Sequence, residues 1–298
     1  MSVTDTQSTM LQEIAPRVSE FQRFRRVFLS RRLVVFGVVI IITFIILAIF
    51  APLIAPYDPY VTDLKARLSP PSQSHLLGTD TLGRDTLSRI IYGTRTSLMI
   101  GLIVVSLASI FGMSLGMIAA YFGGLVYTII MRLIDVLMTF PMLLLALIIA
   151  AMLGEGIRNV IIALTVGLVP VYARLMCGQV LTIKENEYIM AGRAMGASNL
   201  RIMIRHLIPN ALPALIVVMT MMLGTTVLAE AGLSFLGIGI EPPLAAWGSM
   251  VNDGREYLLT HPILSFAPGF AIMLLVFSFN MVGDGLRDAL DPRLRGLI

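Results

Sequence analysis

Six runs of about 20 mostly apolar residues, the length that crosses a bilayer, constrain this chain more than any other feature. They cover residues 33–55, 97–122, 129–153, 157–181, 212–231 and 264–286. Lipid offers no hydrogen-bond partners to an open backbone, so runs of this kind fold as helices. The fold class expected is an all-α membrane protein with six transmembrane helices. Composition agrees, with 57% hydrophobic and only 13% charged residues, against about 25% charge in a soluble domain. The first run is too long for the apolar part of a cleavable signal and lacks a small-residue cleavage pattern after it.

Several chemistries are excluded. A single cysteine, Cys177, forms no intrachain disulfide and no Cys-based zinc cage. His75, His206 and His261 fall in three separate segments, and no convergent set of acids, His and Ser marks a catalytic centre. The expectation is a non-enzyme with no catalytic residues and no metal site. Lys65 and Lys184 are the two lysines, and neither follows Gly or precedes Ser/Thr. A phosphate-cradling Walker loop therefore cannot form, and the chain should hold no cofactor of its own. If ATP drives it, another chain hydrolyses the ATP. The net charge of +4 is spread over loops between spans, where it reads as a topology signal and not as a nucleic-acid surface.

Arg17, Arg23, Arg25, Arg26, Arg31 and Arg32 precede the first run, Lys184, Arg193, Arg201 and Arg205 follow the fourth, and Arg287, Arg293 and Arg295 follow the sixth. Six spans put these segments on one side, which the positive-inside rule makes cytoplasmic, with both termini. Lys65, Arg67, Arg84, Arg89 and Arg95 in the opposing loop run against the rule, and the cluster abutting the first span decides. The expected organisation is a cytoplasmic tail (1–32), a first span (33–55), an external loop (56–96) with an amphipathic helix over 82–97 on the outer surface, a five-helix core (97–286) and a cytoplasmic tail (287–298). Pro141, Pro170, Pro213 and Pro268 permit kinks. Gly112 and Gly116 form a GxxxG, read as close helix packing.

Within the core lies a polar island over 182–210. Tyr188, Ala191, Gly192 and Met195 share one helical face, with Glu187 and Arg193 off it. Gly196 stops this short helix. Ser198 is placed to cap a second, with an apolar stripe of Leu200, Met203, Ile204, Leu207 and Ile208 and with Arg201 and Arg205 opposite. Pro209 is expected to close the segment. The pair is too polar to cross the membrane and too amphipathic for a free loop. Lipid anchoring would favour large apolar residues and Trp at its tip, yet Ala191, Gly192, Ala194, Gly196 and Ala197 make the tip small-sided. Docking to another protein is the favoured reading.

This segment resembles the EAA loop of ABC importer permeases: Glu-Ala-Ala, three residues, Gly, nine residues, Ile-x-Leu-Pro. Ala191, Gly196 and Pro209 match in place, while Met190, Gly192, His206 and Ile208 depart from the pattern. The departures fit the peptide-importer branch, where Ala-x-Gly-Ala-Ser and Arg-His-x-x-Pro-Asn are usual. Further blocks resemble that branch in order: Leu77-Gly-Thr-Asp-Thr-Leu-Gly-Arg-Asp-Thr-Leu-Ser-Arg89, Met131-Arg-Leu-Ile-Asp-Val136 with Phe140-Pro141, and Leu233-Ser-Phe-Leu-Gly-Ile-Gly239 with Pro242-Pro243 and Trp247-Gly248. The last is Gly283-Asp-Gly-Leu-Arg-Asp-Ala-Leu-Asp-Pro-Arg293. The resemblance, from about residue 20 to the end, is to the second, C-type permease subunit of dipeptide/oligopeptide importers, with relatives that carry nickel or glutathione.

What the resemblance implies is a type I importer permease of the bacterial inner membrane. It would work by alternating access beside a homologous second permease, two ATPase subunits that bind ATP and Mg, an external substrate-binding protein and membrane lipid, without nucleic acid. The ATPase-coupling residues would be Glu187, Tyr188, Ala191, Gly192, Arg193, Gly196, Ala197, Ser198 and Arg201. An ion-coupled secondary transporter is the rival, and it predicts ionisable residues at the midplane of several spans. Other residues have two readings each. Glu230 faces the translocation path, or it pairs with a partner or reaches headgroup water. Arg132 and Asp135 brace a gate or form a local ion pair, the favoured reading. Trp247 is an interfacial belt residue or part of a surface for the binding protein. Asp284, Arg287, Asp288, Asp291 and Arg293 read as a solvated anchor.

Overall fold

A computed structural model describes residues 20–290, with side chains from Phe24 onward. Those residues form helices and loops, with one isolated bridge between Thr79 and Asp85. Helix α1 (Glu20–Ser30) leads into α2 (Arg32–Ile49), the first span, followed by one more turn, α3 (Ala51–Ile54). Arg31 pairs with Asp288 at 2.7 Å, which fastens the start of the described chain to its end. Asp291, Arg293 and Arg295, together with Arg17, lie outside the described residues.

Helix α4 (Thr86–Phe122) is 37 residues long, about 55 Å at 1.5 Å per residue. The surface helix expected over 82–97 is thus not a separate element. Asp85 caps α4 by accepting from the backbone N of Ser88, and no proline interrupts the helix before Phe122. Helix α7 (Ile157–Ile183) packs along α4. A Cβ at Gly116 would lie 2.1 Å from the carbonyl of Ala173, and one at Gly112 would lie 2.6 Å from that of Val169. The two glycines therefore let the backbones touch, as packing requires.

The third apolar run is not a single helix. It is α5 (Gly124–Met138) and α6 (Met142–Leu153), which meet at 89°. Pro141 has no N–H to extend the ladder, and its ring pushes Phe140 out of helical geometry. Among the described residues five helices are each long and apolar enough to cross a membrane, and the bent pair makes a sixth crossing if taken as one.

After the loop helices α8 (Glu187–Ala194) and α9 (Asn199–Ile202) the chain enters α10 (Ile208–Phe235), then α11 (Trp247–Gly254) and α12 (Ile263–Leu290). Pro170, Pro213 and Pro268 all sit inside helices, in α7, α10 and α12. One core cluster joins α4, α6, α7 and α10, with Leu164, Leu168, Tyr172 and Leu215 fully buried. A second surrounds Trp247 between α2, α4, α11 and α12. Trp247 is neither a belt residue nor an exposed surface. It is fully buried, donates from Nε1 to the carbonyl of Ile90 at 3.0 Å, and lies edge-on to Phe44. Gly93 leaves room for it, since a Cβ there would come within 2.7 Å of the indole.

Candidate functional site

The polar island folds as two helical pieces around a glycine hinge. Helix α8 ends in a Schellman arrangement: Gly196 N donates to the Arg193 carbonyl at 2.9 Å, and Ala197 N to that of Gly192 at 3.0 Å. Gly196 has φ +81, which a Cβ would strain. Ser198 caps α9 by accepting from Arg201 N at 3.4 Å.

Pro209 does not close the segment. From Met203 to Leu207 the backbone widens into a π-turn, in which Ile208 N donates to the Met203 carbonyl, and α10 follows at once. Pro209 lies in the first turn of α10, directly after the π-turn. Asn210 Nδ2 donates to the His206 carbonyl at 2.6 Å, giving that oxygen a partner. Asn199–Phe235 therefore forms one uninterrupted span-length unit of 37 residues.

The apolar stripe is divided between core and surface. Ile202, Met203 and Leu207 are buried anchors, together with Ile189 of α8. Leu200 and Ile204 point outward instead, at 63% and 56% exposure. They join the exposed Tyr188, Met190 and Met195. A Cβ at Gly192 or Gly196 would meet nothing within 4 Å. Glu187, Ala191, Arg193, Ser198 and Arg201 are also exposed, and Gly192 and Ala197 are half-buried. The nine island residues are thus each exposed or half-buried.

The island is pinned to the end of α4. Tyr121 Oη donates to Asn199 Oδ1 at 2.8 Å, Arg193 lies 5.0 Å over the Tyr121 ring, and Lys184 Nζ donates to the Ala120 carbonyl at 3.3 Å. Tyr121 and Asn199 have no part in the sequence reading, and Lys184 enters it only as a topology signal and a lysine outside any Walker loop. A tyrosine in the last turn of a span, ahead of Gly123-Gly124, was the available signal.

Glu230 does not face an open path. It is fully buried near the far end of α10, where Ser97 Oγ donates to it at 3.2 Å and Ser234 Oγ at 2.9 Å. Ser234 Oγ in turn lies 3.4 Å from Ile240 N, an acceptor for that amide. Placement between α4 and the loop after α10 explains the difference from the reading of a path-facing acid.

The Arg132–Asp135 pair is replaced as well. Asp135 pairs with Arg174 of α7, a mid-span arginine that sequence reading did not single out. Arg132 makes no ion pair among the described residues. The three line a cavity of about 600 Å³ between α5 and α7. Among the described residues no cluster of His, Cys, Asp or Glu could hold a metal ion.

Residues 112–296 match the family model described as binding-protein-dependent transport system inner membrane component. Residues 19–71 match the N-terminal TM domain of oligopeptide transport permease C. Similar proteins include the dipeptide transport system permease protein DppC of Alkalihalophilus pseudofirmus, 42% identical over 95% of this chain and 91% of that one. The Haemophilus influenzae protein of the same name is 41% identical over 94% and 97%. The glutathione transport system permease protein GsiD of Pectobacterium atrosepticum is 40% identical over 92% of this chain and 92% of that one. A solved chain of the MetNI methionine ABC transporter in an inward-facing conformation aligns with TM-score 0.56 at 21% identity. It covers 69% of this chain and 97% of that one, and so has the same fold.

Proposed function

The chain belongs to the family of binding-protein-dependent transport system inner membrane components, and on that premise we propose that it is the C-type permease subunit of an ATP-driven importer of di- or oligopeptides. It is a multi-pass membrane protein with the type I importer permease fold. The observation that carries the reading is the set of bare apolar side chains Tyr188, Met190, Met195, Leu200 and Ile204 on the loop helices of a chain whose sequence has no Gly-Lys-Ser/Thr. Exposed apolar surface of this kind marks a protein contact.

In this reading two ATPase subunits hold ATP and Mg and grip these side chains, with the loop end on the cytoplasmic side of the bacterial inner membrane. Glu187, Arg193 and Arg201 rim the contact, while Ala191, Gly192, Gly196 and Ala197 let a groove approach the backbone. Movement of the ATPases pushes on α9. The unbroken run from Asn199 to Phe235 carries the push across the membrane to the loop after α10. A homologous permease completes the path, and a binding protein delivers solute from outside. Peptide as substrate is supported by the names of the relatives, one of which is a transporter of glutathione, itself a tripeptide.

The test is uptake of a labelled dipeptide by proteoliposomes holding the complete complex, with an uncoupler present. ATP-dependent accumulation that survives the uncoupler is expected. Uptake that needs an ion gradient and ignores ATP would replace this reading with the secondary transporter. Glutathione competing better than dipeptides would move the substrate to the glutathione-carrying relatives.

A further inference from the structure

The cavity between α5 and α7 holds charges where lipid would not tolerate them. Arg174 lies nine residues before the end of α7 at Ile183, about 14 Å along the helix. Its side chain and that of its partner Asp135 are 52% and 48% exposed. Ionisable groups at such depth face a water-filled space or protein, because the bilayer interior strongly disfavours them. The space is present. The 89° turn between α5 and α6 sets α5 at an angle to the rest of the run. The cavity of about 600 Å³ between α5 and α7 is lined by Thr128, Met131, Arg132, Asp135, Arg174 and Gly178 among others. That volume is in the range of small-ligand sites.

Two guanidinium groups face one carboxylate, so the lining carries a net positive charge. Guanidinium groups match carboxylates in shape and bind them through paired hydrogen bonds. Asp135 already occupies Arg174, which keeps the site from trapping an anion. A path needs binding sites that solutes both enter and leave.

We infer that this cavity is the cytoplasmic half of the translocation path, and that Arg132 and Arg174 receive the free carboxylate of a passing solute while Asp135 yields and then re-forms its pair. The carboxylate as ligand rests on the peptide reading above. The water-filled, positively charged cavity does not.

The experiment uses the assembled complex in inside-out vesicles, with Thr128→Cys in a Cys177→Ala background. Membrane-impermeant methanethiosulfonate reagents, one anionic and one cationic, probe the thiol. Labelling from the cytoplasmic side is expected, with the anionic reagent faster. Arg132→Gln, a change at an exposed side chain with no ion pair among the described residues, should lower that rate ratio at least threefold. Absence of labelling would overturn the path assignment and make the cavity a partner or lipid contact. An unchanged ratio would overturn the charge assignment. In the transport arm, uptake of a dipeptide relative to its C-terminal amide should fall at least fivefold in Arg132→Gln. An unchanged relative uptake would overturn the carboxylate role. If the wild-type complex imports neither peptide, the peptide reading fails with the carboxylate role, while labelling still decides the cavity.

Discussion

The two ends of this bundle have solved the same problem in opposite ways. At the end holding the start of α4, most buried polar groups find partners inside the chain, while Thr86 Oγ1, Arg89 Nε and Asn252 Oδ1 have no hydrogen-bond partner among the described residues. Asp80 pairs with Arg84 at 2.7 Å, Asp85 accepts from Ser88 and lies 2.9 Å from His75, Glu230 accepts from Ser97 and Ser234, and Trp247 donates to Ile90. Asp80, Arg84, Asp85, Ser88, Arg89, Glu230 and Trp247 are all buried. At the other end, α8 and α9 are held by a few contacts to Tyr121 and Ala120 and leave five large apolar side chains bare. One end, the closed end, buries most of its polar groups within the chain, and the other, the open end, keeps its loop helices largely on the surface. The contrast explains why the island looks amphipathic in sequence yet stays outside the core. Ile183, Ile189, Ile202, Met203 and Leu207 anchor it, with Ala197 and Ile208 packed partly against the core, while Tyr188, Met190, Met195, Leu200 and Ile204 stay exposed.

The largest effect is expected at the closed end. Trp247→Ala removes a fully buried indole and its hydrogen bond, at a cost of about 3–5 kcal/mol. The thermal midpoint of the detergent-solubilised protein should fall by at least about 5 °C. A midpoint equal to that of the wild type would mean that this end is not the structural one.

At the open end the same measurement should show nothing. Leu200→Asp changes a side chain that is 63% exposed, so stability should stay within about 0.5 kcal/mol. Copurification of the ATPase subunits, however, should drop at least about tenfold, as expected for a contact residue at the centre of an interface. Loss of thermal stability with normal copurification would reverse the assignment of the two ends.

A smaller effect should appear where the open end is tied down. Tyr121→Phe removes the bond to Asn199 but keeps the ring under Arg193. A net loss of about 0.5–1.5 kcal/mol is expected. The readout is the ratio of solute imported to ATP hydrolysed, which should fall as the tip of the loop loosens. An unchanged ratio would show that α9 transmits motion without this tie.

Much of this was legible before any coordinates. Apolar length set the membrane class, Gly196 and Ser198 set the hinge of the island, and Gly112 with Gly116 set a close contact between α4 and α7. What was not legible depends on neighbours distant in sequence. Periodicity could place Leu200, Met203 and Ile204 on one stripe but could not foresee that Met203 is buried while Leu200 and Ile204 stay exposed. Pro141 announced a break without its angle. Asp135 had an arginine three residues away and chose Arg174 on another helix. Glu230 and Trp247 looked like surface or path residues because their position beside a glycine-rich loop suggested exposure. Burial came from Ser97, Gly93 and Phe44, all contributed by earlier segments of the chain.

The smallest predicted effect is the most discriminating for the closed end. Glu230→Gln keeps the shape of the side chain, accepts from one serine through its carbonyl and donates to the other through its amide. ATP-dependent uptake should remain within about twofold of wild type, since each neutral hydrogen bond contributes only about 1 kcal/mol net. Glu230→Leu, by contrast, strands the hydroxyls of Ser97 and Ser234 in a buried site, at about 1–3 kcal/mol each, and should reduce the yield of assembled complex. If Glu230→Gln assembles normally yet loses most of its uptake, the negative charge itself is needed. The closed end would then open during the transport cycle, and Glu230 would belong to the path in a conformation other than this one.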